Sequence, residues 1–398
     1  MNTRVASMTG VRVVAGVTLA MLGALGPARG QGMATPDRLA APGFWPTKEA
    51  PRAEFVGTAV CAACHPGLAA TQAQTSMART LARAADKGVL PDHASLAVRL
   101  AGHDYRLELK DGAGVITVAK DGRALDQPLG WAFGAGRIGQ TFVYERGGAF
   151  HESRVSYIGA LAGLAFTPKR ALEAPRDLDE ALGRPIPHAE ALRCFGCHGA
   201  ATTKDGRVDQ AGLIPGVTCE TCHGPGARHV AAVREERVAE IPHSVLRPSR
   251  SDPAAAVDFC GACHGTWWDV TLAGEKGIAA LRSQPYRLQS SACWDGEGDP
   301  RLTCTACHDP HRPAERDPLA YDARCLACHG QATQVDSRPA DPTPGGAKPA
   351  ARKAEPKACS VATNRCVTCH MPKYEVEEMR FSFTDHLIRV VKDGNPRR

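Results

Sequence analysis

Residues 215–229 read PGVTCETCHGPGARH and contain the pattern Cys-x-x-Cys-His, followed closely by another histidine. The five-residue pattern occurs seven times in the 398 residues. The copies are Cys61, Cys64, His65; Cys194, Cys197, His198; Cys219, Cys222, His223; Cys260, Cys263, His264; Cys304, Cys307, His308; Cys325, Cys328, His329; and Cys366, Cys369, His370. They use fourteen of the sixteen cysteines, which excludes a chance origin.

The spacing of the motif fits covalent attachment of haem. Two cysteines three positions apart lie on one face of a helical turn, where both thiols can add to the vinyl groups of one porphyrin. The imidazole of the next residue then reaches the iron. The sequence therefore predicts seven haem c groups, with the fourteen motif cysteines as thioether sites and the seven motif histidines as proximal iron ligands.

Zinc and disulfides are the alternatives for such cysteines. Paired Cys-x-x-Cys units also form tetrahedral zinc sites, but zinc ribbons do not require a histidine after every second cysteine. A disulfide framework requires no histidine at all. We therefore favour haem.

Composition agrees with a core filled by cofactors. Aromatic residues make up only 5% of the chain, whereas there are 40 glycines and 29 prolines. Seven flat apolar haems would replace the missing large side chains. The net charge of +6 falls to +3 without Arg4, Arg12 and Arg29, and seven ferric haems with ionised propionates bring it to about −4. The basic balance therefore does not indicate nucleic-acid binding.

The N-terminus is typical of a secretory signal peptide. Arg4 and Arg12 precede an apolar run over 13–25, and small residues follow at Ala28 and Gly30. The run is shorter than the roughly 20 residues that span a bilayer. We predict a signal peptide over 1–30, a periplasmic or otherwise exported mature protein, and no transmembrane segment after cleavage.

The motifs divide the remaining chain unevenly. The first is followed by 128 residues without another, and the other six lie between Cys194 and His370 with spacings of 25, 41, 44, 21 and 41 residues. Such spacings leave room for a helix and a loop per haem, so neighbouring haems must pack closely. The predicted units are a first haem segment over 31–90, a β-rich haem-free segment over 91–190, and a six-haem cytochrome domain over 191–398. Within that domain, residues 331–357 are predicted to form a flexible loop.

The predicted fold class is a mainly α and irregular, haem-packed multihaem cytochrome with a small antiparallel β-sheet insert in its N-terminal half. A helix is predicted over 66–85, with proline at its start. Alternating polarity and Asp-Gly or Gly-Gly turns predict strands over 95–100, 105–110, 115–120, 141–145 and 150–157. This sheet either covers the first haem, which we favour, or forms a docking surface.

The distal ligands decide between carrier and catalyst, because an electron-transfer haem normally has both axial positions filled by protein. Eight histidines outside the motifs permit complete bis-histidine ligation: His229, His311, His386, His93, His243, His188, His151 and His103. A Gly-Pro turn can direct His229 onto an adjacent haem, and His311 follows His308 too closely to serve the same iron. A surface or hydrogen-bonded histidine is the ordinary alternative for His243, His188, His151 and His103. Met77 is a further candidate ligand.

Two cysteines remain outside the motifs. An oxidising compartment favours a disulfide between Cys293 and Cys359. This bond would join the loop before the seventh motif to the segment before the fifth.

Several segments resemble the cytochrome c-552/4 type of multihaem cytochrome, which is related to the tetrahaem cytochromes of nitrification. They are LRCFGCH (192–198), PGVTCETCHGPGARH (215–229), QPYRLQSSAC (284–293), LTCTACHDPHR (302–312), VATNRCVTCHMPK (361–373), FTDHLIRV (383–390) and ESRVSY (152–157). The resemblance implies a periplasmic or extracellular electron carrier with closely packed haem pairs. It also implies distal ligation by His229, His311 and His386.

The leading hypothesis is electron transfer between redox partners, with a quinol-side donor or other cytochromes on one side and a terminal reductase or extracellular acceptor on the other. The alternative is an oxidoreductase acting on a small nitrogen or sulfur oxyanion at a five-coordinate haem. Arg154, Tyr157 and His151 are candidates to line its distal pocket, but we favour an ordinary strand with polar residues as the interpretation of these three. A structural module in a haem conduit is the third hypothesis. No hydrolytic triad, phosphate loop or nucleic-acid motif is evident, and the sequence does not indicate an oligomeric state.

Overall fold

The computed structural model describes residues 50–86, 96–168, 174–248, 253–275, 277–291, 293–294, 302–329, 359 and 361–391. The predicted signal peptide, His93 and the predicted loop over 331–357 lie outside these ranges. None of the helices in the described ranges is long and apolar enough to cross a membrane.

In the described ranges before the second motif there are ten strands. They are β1 Leu81–Arg83, β2 Leu96–Leu100, β3 His103–Lys110, β4 Ala113–Lys120, β5 Arg123–Pro128, β6 Trp131–Phe133, β7 Gly139–Arg146, β8 Ala149–Ile158, β9 Gly163–Phe166 and β10 Gly183–Pro185. The predicted strands coincide with β2, β3, β4, β7 and β8. The predicted turns lie at positive φ, as Asp111, Gly112, Gly147 and Gly148 show.

These strands form two antiparallel sheets. Strands β2 to β5 form a four-stranded meander, and the second sheet has the order β1-β6-β7-β8-β10, with β9 also paired to β8. A shared core joins them, in which Leu107 and Ile116 of the meander pack with Phe142 and Val155 of the second sheet. Leu182 belongs to the same core. Apolar burial thus gives this haem-free part of the chain a core of its own.

Short helices carry the motifs. The helices are α1 Thr58–Cys64, α2 Pro66–Gln72, α3 Leu178–Leu182, α4 His188–His198, α5 Cys219–His223, α6 Ala227–Arg234, α7 Pro253–His264, α8 Trp267–Ala273, α9 Gln284–Gln289, α10 Cys304–Cys307, α11 Asp322–His329 and α12 Cys366–His370. Single 3₁₀ turns occur at Arg52–Glu54, Gly159–Leu161, Ile241–His243, Gly277–Ala280, Pro318–Tyr321 and Glu377–Met379. The remaining strands form three two-stranded ribbons: β11 Gly199–Ala200 with β14 Ile214–Pro215, β12 Thr203–Lys204 with β13 Arg207–Val208, and β15 Lys373–Val376 with β16 Phe381–Thr384.

A second apolar cluster fixes the second motif against the sheets. Phe195, which lies inside that motif on α4, packs with Trp131 and Leu81. The Trp131 and Phe195 rings meet edge to face with their centroids 5.7 Å apart. Burial of this motif phenylalanine therefore holds α4 in place.

The predicted helix over 66–85 is too long. Helix α2 ends at Gln72, and the chain then turns into strand β1. The Gln72 side-chain amide donates to the Val217 carbonyl at 2.6 Å, and the Val217 amide donates to the Met77 carbonyl at 3.0 Å. These long-range bonds take the place of the next helical turn, so tertiary contacts override local helix propensity.

Gly216 is required where this turn meets the third motif. Its φ is +79°, and an added Cβ would lie 2.0 Å from the Ala78 carbonyl oxygen. We expect Gly216→Ala to lower the melting temperature more than Gly206→Ala, because Gly206 has a φ of +69° but open space around it. Both variants carry left-handed backbone strain of about 1–3 kcal/mol, and only Gly216→Ala adds a clash. Equal melting temperatures in thermal unfolding would show that the contact with Ala78 is not restrictive.

Candidate haem-binding site

The seven motifs meet at one continuous cavity of about 3750 Å³. All seven motif histidines and thirteen of the fourteen motif cysteines line it, Cys194 being the exception. A pocket for one small ligand measures roughly 300–1,000 Å³. The cavity therefore has space for several large groups.

The charges on the cavity wall suit anionic ligands. The lining contains ten arginines and one lysine, against five aspartates and glutamates. Among them, burial lowers the pKa of Arg282, and only Glu275 opposes that effect. An anionic group beside Arg282 would be stabilised, and haem propionates are such groups.

Two pairs of histidines face each other across the cavity. The ring centroids of His223 and His311 are 5.9 Å apart with nearly parallel planes, and those of His308 and His386 are 6.1 Å apart. Two imidazoles on one metal, each bound at about 2.0 Å, would place their ring centres about 6 Å apart. Both distances therefore fit an axial ligand pair of one iron. They also place His308 and His311, three residues apart, at two different sites.

Hydrogen bonds at Nδ1 set the tautomer of several of these rings. His223, His370 and His386 each donate from Nδ1 to a backbone carbonyl, at 2.8, 2.9 and 3.1 Å respectively. A carbonyl oxygen only accepts, so the proton lies on Nδ1 and the Nε2 lone pair is available to a metal. Such bonds orient metal-binding histidines and increase their basicity.

His229 has the same arrangement through a side chain. Its Nδ1 lies 3.0 Å from Ser244 Oγ, and Ser244 Oγ donates its own proton to the Ile241 carbonyl at 2.8 Å. The hydroxyl therefore accepts from His229, which leaves Nε2 as the free acceptor nitrogen. Since His229 lines the cavity, its chemistry fits a distal ligand.

Burial keeps His386 and the histidines of the fourth and fifth motifs neutral. It lowers the pKa of His386 to about 4, and the neighbouring His308 and His264 act in the same direction. Burial likewise lowers the pKa of His308 and of His264. A neutral imidazole is the form that binds metal.

The motif helices come together in pairs. The first cysteines of two motifs lie within hydrogen-bonding reach of each other in three cases: Cys61 with Cys219, Cys260 with Cys304, and Cys325 with Cys366. Cys197 of the second motif contacts the fourth, with 3.6 Å between its Sγ and the Ala262 carbonyl oxygen. The structure thus brings together motifs one and three, four and five, and six and seven, with the second beside the fourth.

Four predicted distal histidines do not line this cavity. His103 is fully buried in β3, His151 packs on the Tyr144 ring, and His188 donates from Nε2 to the Gly206 carbonyl at 2.8 Å. His243 is exposed. The β-sheet core or the surface explains these side chains without iron. Met77 does line the cavity.

The structure does not form the predicted bond between Cys293 and Cys359, and both residues are exposed. Cys293 lies beside Cys307 of the fifth motif and Cys325 of the sixth. Cys359 instead accepts hydrogen bonds from the Ala362 and Val361 amides, which lowers the pKa of its thiol. Each sulfur thus has local surroundings that do not require a disulfide.

Sequence reasoning missed the groups that orient the histidines. Leu246 and Arg389 act through their backbone carbonyls, which carry no sequence signal. The same reasoning missed a buried ion pair, in which Arg287 donates to both carboxylate oxygens of Asp385 at 2.8 and 2.7 Å. Burial favours the neutral acid, but hydrogen bonds from Arg287 and Arg389 outweigh it and lower the pKa of Asp385. The only hint of this ion pair in the sequence was the charged residue Asp385, which directly precedes His386.

Two family models match parts of the chain. The model described as cytochrome c3 matches residues 297–382, which include the last three motifs, and the model described as cytochrome c554 and c-prime matches residues 169–224, which include the second and third. No curated protein and no solved structure matches the chain. The matches support a multihaem c-type cytochrome with covalently bound haem, of a kind involved in electron transfer.

Proposed function

We propose that this multihaem cytochrome is an exported electron carrier with seven haem c groups, several of them with two histidine ligands. The proposal rests on two pairs of facing histidines. The ring centroids of His223 and His311 are 5.9 Å apart, and those of His308 and His386 are 6.1 Å apart. An iron held on both sides by protein has no position for a substrate, which suits electron transfer.

Each group of residues has a separate part in this function. The motif cysteines attach the cofactors, and the Nδ1 hydrogen bonds hold the imidazoles in the metal-binding tautomer. Haem iron accepts and releases single electrons by cycling between ferric and ferrous states. The cationic lining offsets the negative charge of the propionates. The paired motif helices keep the haems of each pair close together.

The proposed carrier exchanges electrons with protein partners outside the cytoplasm. Cytochrome c family matches imply such redox partners, and the apolar N-terminal run over 13–25 supports export. A quinol-side donor or another cytochrome on one side, and a terminal reductase or extracellular acceptor on the other, are the proposed partners.

Haem stoichiometry tests the proposal directly. We expect protein exported by a host with cytochrome c maturation machinery to carry seven haems, measured by intact mass and by the pyridine haemochrome spectrum. A variant with both Cys61→Ser and Cys64→Ser is expected to carry six, because it removes one attachment site. A colourless product of bare polypeptide mass would refute the cofactor assignment.

A second candidate function is an oxidoreductase acting on a small nitrogen or sulfur oxyanion. Besides the motif histidines, only His229, His311 and His386 of the described residues line the cavity, so with His93 the candidate distal histidines number four for the seven proposed irons. The other irons would take Met77, a cysteine thiol or an exogenous ligand. Electron paramagnetic resonance of the oxidised protein separates the functions. Exclusively low-spin signals support the carrier, and a high-spin signal that changes with nitrite or hydroxylamine supports the enzyme.

A further inference from the structure

Two buried carboxylates each join the haem-binding helices of two different motifs. Glu220 lies within the third motif and is 2% exposed, and Asp322 begins the helix of the sixth motif and is 7% exposed. Charged residues are rarely so buried unless they are paired or hydrogen-bonded. In both cases the partners are backbone amides of another haem-binding segment.

Glu220 connects three segments. Its Oε2 accepts from the Gly57 amide, and its Oε1 accepts from the Val56 and Gly226 amides, all at 2.8 Å. Gly57 is the residue at the N-terminal cap of α1, which carries the first motif, and Gly226 caps α6, which carries His229. One carboxylate therefore fixes the first motif, the third motif and a candidate distal ligand relative to one another.

Asp322 makes the equivalent connection in the C-terminal part of the chain. Its Oδ2 accepts from the Arg365 amide at 2.6 Å and its Oδ1 from the Cys366 amide at 2.9 Å. Arg365 and Cys366 are the cap and the first residue of α12, the helix of the seventh motif. Asp322 therefore joins the sixth motif to the seventh, just as Glu220 joins the third motif to the first.

Ordinary helix capping does not explain these bonds. A capping side chain normally comes from the residue at the cap itself, whereas neither Gly57 nor Arg365 provides one. The carboxylates come from positions 163 and 43 residues away along the chain. Where each carboxylate binds the other motif, the first cysteines of the two motifs also lie close together, Cys61 with Cys219 and Cys325 with Cys366.

We propose that Glu220 and Asp322 are positioning residues that set the separation and orientation of two haem pairs, those of motifs one and three and of motifs six and seven. The inference rests on the proposed seven-haem function and adds to it the residues that hold the pairs. An ionised carboxylate with two or three amide donors makes strong hydrogen bonds in a fixed geometry. The hydrogen bonds of each carboxylate lie where two motif helices meet. Their loss therefore changes the distance and orientation between two haems, but not the attachment of either haem.

The test compares Glu220→Gln and Asp322→Asn in the full-length holoprotein. Each amide keeps the size of the side chain but turns an NH₂ group towards backbone donors. Haem content is expected to stay at the parent value, while two electron paramagnetic resonance signals shift in Glu220→Gln and two different signals shift in Asp322→Asn. Redox titration is expected to show altered midpoints for the same haems. Glu235→Gln, at an exposed carboxylate, is the matched control and should reproduce the parent spectrum.

The outcomes separate this inference from the proposed function. Fewer than seven haems in the parent would contradict the function before any variant is made. Unchanged spectra and midpoints in both variants, or shifts of the same signals in both, would overturn the positioning role. If Glu220→Gln does not accumulate, Glu220→Asp keeps the charge on a shorter side chain. It must then shift the signals of one haem pair, and a parent-like spectrum would overturn the inference.

Discussion

If the proposed function is right, replacing His386 by alanine is expected to convert one of the seven proposed haems from low spin to high spin. His386 faces His308 across 6.1 Å and is held by its Nδ1 bond to the Thr384 carbonyl. Without this imidazole the iron bound by His308 would lose its sixth ligand. Carbon monoxide binds an open ferrous position, so the reduced variant should bind one more molecule of it per chain than the parent.

Two further variants make this prediction specific. His243→Ala removes an exposed histidine that does not line the cavity and should leave the spectrum unchanged. His311→Ala should also produce one high-spin haem, but a different one, because His311 faces His223. A combined His311→Ala and His386→Ala variant should therefore show two high-spin haems. A parent-like spectrum for His386→Ala would rule out axial ligation by this residue.

The sequence predicts the strands well because their signals are local. Alternating polarity in 105–110 and 115–120 gives each strand one buried face, as Tyr105, Leu107, Ile116 and Val118 show. The helix over 66–85 fails for the opposite reason. Its end is set by bonds to Val217, about 140 residues further along the chain, and no local pattern contains that information. The overall fold class remains a prediction.

The sequence predicts the attachment residues from a local motif, whereas it leaves the distal ligands open. A Cys-x-x-Cys-His motif places all its chemistry in five residues, but a distal histidine acts on the haem of another segment. His103 and His151 also donate Nδ1 to a backbone carbonyl, just as His386 does. Only the tertiary structure separates them, because His103 and His151 lie in the sheet region and His386 lies on the cavity wall.

Removing the carboxylate of Asp385 is expected to have the largest effect on stability. Asp385 is fully buried, and Arg287, its bidentate partner, has a side chain only 6% exposed. Arg389 donates to the same carboxylate at 2.7 Å, and its carbonyl accepts from His370 Nδ1. Asp385→Ala would remove the carboxylate that both Arg287 and Arg389 contact in this buried site. Loss of one partner of a buried pair typically costs about 3–5 kcal/mol, measured here as the free energy of unfolding in denaturant.

Two further variants, one at an exposed ion pair and one with apolar replacements, identify why Asp385→Ala destabilises the protein. Asp104→Ala breaks an exposed ion pair with Arg99 and should leave the unfolding midpoint within experimental scatter, because solvent screens such pairs. A double variant, Arg287→Met with Asp385→Leu, removes the buried charge together with its partner and should be more stable than Asp385→Ala alone. If the double variant is the less stable of the two, the cost lies in the lost hydrogen bonds between α9 and the C-terminal segment. The buried Arg287 charge would then not be its cause.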